Sequence, residues 1–227
     1  MKNLEIYIHI PFCVRKCEYC DFLSFPADDD AKLRYVKGLM AEMIFYGPLM
    51  KNYQVSSVYI GGGTPSSIDE QWIAALMEGV FDCFNVLPDA EVSIECNPGT
   101  LSREKLLAYR DAGINRLSIG LQSANNDELK LLGRIHTFEQ FVTNYEVARN
   151  VGFKNINVDL MYGLPGQSAS QYMATVNKII RLHPDHISAY SLIVEKGTPF
   201  YEKYKFDMVR QEAGMRTEFL PNEDELY

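Results

Sequence analysis

Three cysteines lie close together near the start of the chain, where Cys13, Cys17 and Cys20 form the pattern Cys-x-x-x-Cys-x-x-Cys. Iron–sulfur clusters are held by cysteine thiolates, normally four of them. Three thiolates with no nearby fourth suit a [4Fe–4S] cube in which one iron stays open for a cofactor or a substrate. The positive charges of Arg15 and Lys16 favour the thiolate over the thiol.

A structural zinc site is the alternative interpretation of the same pattern. It requires a remote fourth ligand, for which Cys83, Cys96 and a histidine are the candidates. Structural zinc sites prefer paired cysteines, however, and Cys83 and Cys96 lie in apolar segments that are typical of a protein core. The pattern therefore favours a cluster and leaves zinc as the second hypothesis.

The elements that must position this loop alternate along the chain between strand-like and helix-like segments. Strands are predicted at residues 4–10, 55–60, 91–96, 116–122, 155–161 and 186–194, each short and carrying β-branched side chains. Helices are predicted at 31–46, 70–84 and 103–112, and two more begin at the capping-box pairs Thr137/Gln140 and Ser168/Gln171. This alternation predicts parallel strands joined by right-handed crossovers.

Six strands of this kind predict an α/β fold, a partial (βα)6 TIM-like barrel with parallel strands and outer helices. A closed eight-stranded barrel typically needs about 250 residues, more than this chain of 227. A doubly wound sheet is the rival architecture. We expect the core to occupy residues 1–200. Residues 201–227 are expected to begin a truncated C-terminal extension, with a helix starting at Asn222.

Polar side chains recur on one face of the predicted strands, although strands of a parallel sheet are usually apolar throughout. Tyr7, Glu95, Gln122 and Asp159 all lie towards the C-terminal ends of their strands. Burying such groups without partners costs about 1–3 kcal/mol each. A wet or ligand-binding cavity at the C-terminal mouth of the barrel is therefore expected. A one-sided antiparallel sheet is the alternative, but helices separate nearly all the strands.

Composition excludes several classes of function. The formal net charge of −8 is opposite to that of a nucleic-acid-binding surface. No apolar run is long enough to cross a membrane, and the N-terminus is not a signal peptide. Five cysteines, three of them clustered, make a poor disulfide framework. We therefore expect a cytoplasmic protein with no transmembrane segment and no nucleic-acid partner.

The chain resembles the radical S-adenosylmethionine (SAM) superfamily, and within it the branch similar to oxygen-independent coproporphyrinogen III oxidase. The resemblance covers essentially the whole chain, and the ordered set of motifs is far more specific than the cysteine pattern alone. In chain order the motifs are Tyr7-Ile-His-Ile-Pro-Phe-Cys13 with the cysteine loop, Gly61-Gly-Gly-Thr-Pro-Ser66, Ser93-Ile-Glu-Cys-Asn-Pro-Gly99, Asn115-Arg-Leu-Ser-Ile-Gly-Leu-Gln122, Leu132-Gly-Arg-Ile-His136 and Asp159-Leu-Met-Tyr-Gly-Leu-Pro-Gly166.

The resemblance implies a [4Fe–4S] cluster on Cys13, Cys17 and Cys20, with SAM as the second cofactor. It also implies nine cofactor-binding residues: Tyr7, Tyr19, Gly62, Gly63, Thr64, Glu95, Gln122, Arg134 and Asp159. The last three resemble residues that meet the SAM carboxylate, a second SAM or the substrate. The nine also have simpler alternatives: the glycines as a tight turn, Glu95 as a satisfied buried carboxylate, and Arg134 as a surface helix residue. His9 and His136 are expected to be structural.

The branch contains two main functions. The oxidases resemble Cys-x-x-x-Cys-x-x-Cys-x-Cys, and Phe22 occupies the fourth cysteine position here. This departure favours the haem chaperone group over coproporphyrinogen dehydrogenation, and it leaves open whether the chain is an enzyme. The implied partners are haem or a porphyrinogen, a one-electron donor such as flavodoxin or ferredoxin, and haem-accepting proteins. A zinc-bound structural module is the third hypothesis.

Overall fold

The computed structural model describes residues 2–222, in which strands and helices alternate. The strands are β1 (Lys2–Ile10), β2 (Tyr53–Gly62), β3 (Val86–Cys96), β4 (Arg116–Gln122), β5 (Asn155–Tyr162) and β6 (His186–Ser191). The helices are α1 (Asp29–Tyr46), α2 (Glu70–Cys83), α3 (Arg103–Asp111), α4 (Asn126–Leu131), α5 (Phe138–Val151), α6 (Ala169–Ile180) and α7 (Pro199–Glu212). All six predicted strands are confirmed.

The strands form one parallel sheet in the order β1-β2-β3-β4-β5-β6. A doubly wound sheet reverses its strand order at a switch point, and this sheet has no such reversal. The sheet curls into an open half-barrel with β1 and β6 at its edges. The predicted partial (βα)6 barrel is therefore confirmed, and the rival architecture is wrong.

One face of the sheet is apolar and packs against the helices. In a register row across five strands, Ile8 pairs with Ile60, Ile60 with Ile94, Ile94 with Leu117 and Leu117 with Ile156. All five side chains are buried. Burying each stabilises the fold by about 1.5–3 kcal/mol, which fixes the register because a one-residue slip would expose the whole row.

The predicted strand boundaries agree with the structure to within two residues except in β3 and β6. Strand β3 begins at Val86, five residues earlier than predicted. Strand β6 ends three residues earlier than predicted, because the chain turns away after Leu192 donates to Tyr162 O at 2.8 Å. Helices α4 and α7 were not predicted. Helix α7 does carry a start signal, since Thr198 caps its N-terminus and Pro199 occupies the first turn. No helix within residues 2–222 is long and apolar enough to span a bilayer.

Helix α7 packs on the barrel through a second apolar cluster. Phe200 and Tyr204 are buried there together with Leu132, Met161 and Leu164. The described part of the expected C-terminal extension is thus tied to the core, and the boundary at residue 200 stays a prediction. The helix expected to follow Asn222 falls on residues 223–227, outside the described range.

A buried carboxylate of α7 holds the segment that follows this helix by hydrogen bonds. Asp207 accepts hydrogen bonds from the backbone N–H groups of Glu218, Phe219 and Leu220 at 3.0, 2.6 and 3.0 Å. Burial raises the pKa of the Asp207 carboxyl, but these backbone donors outweigh that effect and hold the pKa below its ordinary value of 3.8. The charged form is therefore stabilised in the folded state.

We predict that Asp207→Asn lowers the free energy of unfolding by about 2 kcal/mol at neutral pH, since hydrogen bonds to a charged acceptor are lost or weakened. Because the folded pKa lies below the unfolded one, the wild-type advantage is present above the unfolded value of 3.8 and is lost as the pH falls through the folded value. Thermal melts from pH 3 to pH 7 measure it. Glu212→Gln, at an exposed carboxylate of α7, is the control and is expected to melt like wild type. A pH-independent deficit in Asp207→Asn would contradict this account.

Candidate iron–sulfur and cofactor cleft

The cysteine loop connects β1 to α1 and is closed at its base by backbone hydrogen bonds. Cys13 N–H donates to Phe25 O at 3.2 Å, and Phe25 N–H donates to Pro11 O at 3.0 Å. Thr64 N–H, just after β2, donates to Phe12 O at 2.8 Å. The first thiol is therefore held at the carboxyl ends of β1 and β2.

The far side of the loop is bonded to two other parts of the fold. Glu18 N–H donates to Leu132 O at 3.1 Å, and Glu18 O accepts from Phe200 N–H at 3.0 Å. The ring of Tyr19 lies 6.4 Å from that of Phe200. The segment between Cys17 and Cys20 is thus fixed between the turn after α4 and the start of α7.

Gly63 allows the close approach of the loop to β2. A Cβ atom at Gly63 would lie 2.8 Å from Phe12 O and 3.0 Å from Cys13 Sγ. The thiol of Cys13 also lies 3.4 Å from Thr64 Oγ1. The glycine motif after β2 therefore does more than form a tight turn, because it makes room for a cysteine thiol.

The three thiols line a single cleft at the carboxyl ends of the strands. Eight of the nine residues expected to bind SAM line the same cleft: Tyr19, Gly62, Gly63, Thr64, Glu95, Gln122, Arg134 and Asp159. Tyr7 does not line it. Its side chain is 58% exposed, and its ring stacks on that of Tyr59 at 6.2 Å. Tyr7 thus lies outside the cleft lining but close to Glu95, and its contact with SAM stays a prediction.

Each carboxylate oxygen of Glu95 accepts one hydrogen bond from the protein. Its Oε1 accepts from Tyr59 OH at 2.9 Å and its Oε2 accepts from Gly62 N–H at 3.1 Å. Burial raises the pKa of the Glu95 carboxyl, and these two hydrogen bonds act in the opposite direction. Each oxygen can accept a further bond, so Glu95 suits a ligand that presents hydroxyl groups.

Arg134 lies in the turn after α4, so the surface-helix alternative is wrong. Its Nη2 donates to Gly120 O at 2.6 Å, and its Nη1 lies 3.5 Å from Cys17 Sγ. Its buried Nε has no hydrogen-bond partner within residues 2–222. Leaving a charged donor unsatisfied is costly. An anionic ligand group in the cleft would satisfy it, so the donor set fits a cofactor that carries a carboxylate.

Asp159 belongs to a polar network that extends into β4 and β6. Its carboxylate accepts from Ser118 Oγ at 3.1 Å and from Asn157 Nδ2 at 2.7 Å. Ser188 and His186 of β6 both contact Asn157 Oδ1, at 3.1 and 2.6 Å. Burial raises the pKa of the Asp159 carboxyl despite these bonds. The polar face predicted from the sequence is therefore buried and internally hydrogen-bonded.

Sequence reasoning missed two tyrosines of this face. Tyr59 donates to Glu95, and Tyr190 donates to Gln122 Oε1 at 2.7 Å. The signal in β6 was the alternation of Ser188 and Tyr190 with apolar neighbours, which matches the polar face of the other strands.

His136 has a structural position, as expected. It is buried, its Nδ1 lies 3.1 Å from Asn97 Oδ1 and its Nε2 lies 3.3 Å from Leu121 O. Burial and the neighbouring Arg134 lower the pKa of His136 to about 3, so the ring is neutral. His136 thereby ties the turn that carries Arg134 to the end of β4.

The arrangement gives no support to a single zinc ion. Within residues 2–222 no three side chains of His, Cys, Asp or Glu close around one metal position. Cys96 is buried in the core, and burial raises the pKa of its thiol. The thiols of Cys13, Cys17 and Cys20 are instead partly exposed around one cleft. This suits a cluster whose irons each take a single thiolate.

An open parallel half-barrel, with three thiols in a loop after its first strand and a polar cleft at its carboxyl end, is an α/β arrangement whose donor set fits an iron–sulfur cluster. The profile of the Radical SAM superfamily matches residues 7–179 of this chain. The chain therefore belongs to the radical SAM superfamily, whose members use SAM and a [4Fe–4S] cluster.

Among similar proteins, the haem chaperone HemW of Bacillus subtilis is 40% identical, over 86% of this chain and 52% of that protein. The haem chaperone HemW of Escherichia coli is 36% identical, over 99% of this chain and 56% of that protein. Coproporphyrinogen III oxidase (HemN) of Escherichia coli, a radical SAM enzyme, superposes with a TM-score of 0.84 at 29% identity, over 99% of this chain and 49% of that one. The chain spans about half the length of these relatives.

We predict that Gly63→Ala impairs cluster loading. A methyl group at 2.8 Å from Phe12 O must displace the loop, and binding constellations tolerate displacements of only about 0.5 Å. After anaerobic reconstitution, the variant should hold clearly less iron and sulfide than wild type.

Gly38→Ala is the matched control for this substitution. No atom lies within 4 Å of a Cβ built at Gly38, so this variant should load like wild type. Equal loading of all three proteins would show that the loop is free to move away from Gly63.

Proposed function

We propose that this chain holds a [4Fe–4S] cluster and SAM in the cysteine cleft and acts in haem handling, as the part of a haem chaperone that receives haem for transfer to acceptor proteins. Support comes from relatives named haem chaperones and from the cleft itself. The observation that carries the proposal is an exposed apolar and cationic surface at the cleft mouth, where Phe22 stands.

The chain's own residues fit both cofactors. Cys13, Cys17 and Cys20 would hold three irons and leave one open. Arg134 Nε, which has no partner within residues 2–222, would donate to the carboxylate of SAM. Glu95 would accept hydrogen bonds from the ribose hydroxyls. When bound and reduced, such a cluster supplies the electron that cleaves SAM into methionine and a 5′-deoxyadenosyl radical.

Other cleft residues would complete the SAM site. The backbone of Gly62, Gly63 and Thr64 would face the methionyl amino group, and Tyr19 would lie along the adenine. Gln122 and Asp159 would line the remaining wall, with Tyr7 flanking the site next to Glu95. The protein's contribution is to orient the cofactor and to exclude water.

The cleft mouth carries a surface, which we call the mouth surface, made by Val14, Phe22 and Leu23 with Arg15 and Lys16. Phe22 and Leu23 are 70% and 75% exposed, which is high for large apolar side chains. Arg15 and Lys16 are exposed beside them, against the exposed carboxylate of Asp21 on the same loop. Glu18 is the second acidic residue between Cys13 and Phe25, so that segment of the loop as a whole carries no formal net charge. The apolar side chains with the two adjacent cations complement haem, a flat apolar macrocycle with two propionates.

Coproporphyrinogen dehydrogenation is the second candidate function. The close superposition on coproporphyrinogen III oxidase favours it. Against it, Phe22 replaces the fourth cysteine that the oxidase pattern carries, and this side chain points an apolar ring to solvent instead. We therefore rank haem handling first.

Three further proposals concern partners and location. A one-electron donor of the flavodoxin or ferredoxin type would reduce the cluster, and haem-accepting proteins would take the cargo. A cytoplasmic location is supported by the cysteines, since all five, at described positions, are free thiols.

We predict that Cys13→Ala, Cys17→Ala and Cys20→Ala each abolish most cluster binding, because each removes the anchor of one iron. Iron and sulfide analysis with visible absorption spectra after anaerobic reconstitution measures this. Cys83→Ala, which changes a thiol outside the cleft, is the matched control and should retain the cluster. Stoichiometric zinc in place of iron and sulfide would instead support the structural zinc module.

We predict that the double substitution Phe22→Ser and Leu23→Ser weakens haem binding by at least about tenfold. Full burial of each side chain under a macrocycle would contribute about 1.5–3 kcal/mol, and a loss of about 1.4 kcal/mol is already tenfold. Titration of reconstituted protein with haem, followed in the Soret band, measures the affinity.

The control for the mouth surface is Ile44→Ser with Phe45→Ser, which removes two equally exposed apolar side chains from α1. This control should bind haem like wild type. Equal losses in both double variants would mean that haem adsorbs without specificity. Vinyl products from coproporphyrinogen III, with SAM and a reductant, would favour the dehydrogenase.

A further inference from the structure

Gln122 has an unusual backbone conformation at the wall of the cleft. Its φ is 75°, in the left-handed region that residues other than glycine seldom adopt. The residue closes β4, where the pairing register with β5 shifts between Gly120 and Gln122. Such strain costs about 1–3 kcal/mol and persists only where surrounding contacts hold it. The backbone of Gln122 is therefore held in this conformation by its surroundings, and its side chain has a hydrogen-bond partner of its own.

The contact that holds it comes from two strands away. Tyr190 OH, on β6, donates to Gln122 Oε1 at 2.7 Å, reaching across β5. This bond occupies the acceptor end of the carboxamide and leaves the Nε2 donor to face the cleft. Gln122 Nε2 is the donor in none of the hydrogen bonds found within residues 2–222, and Gln122 lines the cleft.

The carboxamide of Gln122 lies close to the guanidinium group of Arg134, whose Nη2 already donates to Gly120 O. A Cβ atom built at Gly120 would lie 3.0 Å from Gln122 Nε2 and 3.3 Å from Arg134 Nη2. The absence of a side chain at Gly120 therefore leaves open the space towards which both groups converge. Two converging donors, one of them cationic, suit an oxygen acceptor such as a carboxylate.

We propose that Tyr190 is a positioning residue for the cofactor: it holds the carboxamide of Gln122 so that Nε2, beside Arg134, presents its N–H to an oxygen of bound SAM. The inference rests on the proposed SAM site and deepens it. Without the tyrosine hydroxyl, the carboxamide can rotate and present its oxygen to the same ligand oxygen, which is repulsive.

Tyr190→Phe is the direct test, because it removes the hydroxyl and keeps the ring. SAM affinity is measured by equilibrium dialysis with labelled SAM on anaerobically reconstituted protein, with the oxidised cluster so that no cleavage occurs. We expect binding about three- to tenfold weaker than wild type, the range for one lost positioning hydrogen bond. Iron content, sulfide content and melting temperature should not change.

A double-mutant cycle separates positioning from direct contact. Gln122→Ala should weaken SAM binding, and adding Tyr190→Phe to it should cause no further loss, because Tyr190 acts only through Gln122. Gln122→Glu keeps an acceptor for Tyr190 but replaces the donor, so it should weaken SAM binding in the same direction. Tyr109→Phe removes a buried hydroxyl that has no partner within residues 2–222, and it should bind SAM like wild type.

The proposal is overturned if Tyr190→Phe binds SAM as wild type does, or if its loss adds in full to that of Gln122→Ala. It is also overturned if the weaker binding comes with a matching loss of cluster or of stability. Failure of the wild-type protein to bind SAM at all is a different result, which refutes the proposed cofactor site rather than the role of Tyr190 within it.

Discussion

The geometry of the cleft depends on how the backbone of the cysteine loop is bonded. The loop has no helix or long strand of its own, and a segment of that kind is normally mobile. Here its backbone is bonded to the end of β2, to the turn after α4 and to the start of α7. A cluster site needs thiols that are in place before metal arrives, and these three attachments supply that order.

The two faces of the sheet differ in polarity: one is apolar and the other is polar. The face towards the helices carries the apolar register row and provides most of the burial. The inner face carries Glu95 and Asp159, which accept hydrogen bonds from hydroxyl and amide groups of neighbouring strands. At the cleft this hydrogen bonding is incomplete, since Arg134 Nε has no partner within residues 2–222. Arg134 Nε and Gln122 Nε2 donate no hydrogen bond to the protein within residues 2–222, so this is the part of the cleft where a ligand would supply the acceptors.

Helix α7 connects this site to the rest of the molecule. Phe200 bonds the backbone of Glu18 and lies against Tyr19, so a movement of α7 would reach the segment between Cys17 and Cys20 directly. The same helix anchors the segment after it through Asp207. The cysteine loop and the described part of the chain after β6 are therefore joined by direct contacts through α7.

The local sequence alone determined the fold class, the three cysteines of the loop and most of the residues that line the cleft, because these depend on short-range patterns. Alternation with period 2 placed Glu95 and Asp159 on the inner face, and cysteine spacing identified the loop. The sequence could not reveal the bond from Tyr190 to Gln122, the left-handed backbone of Gln122 or the position of Tyr7 outside the cleft lining. Nor could it show that Arg134 is buried against Cys17. These features join residues far apart in the chain, so only the curl and register of the packed sheet decide them.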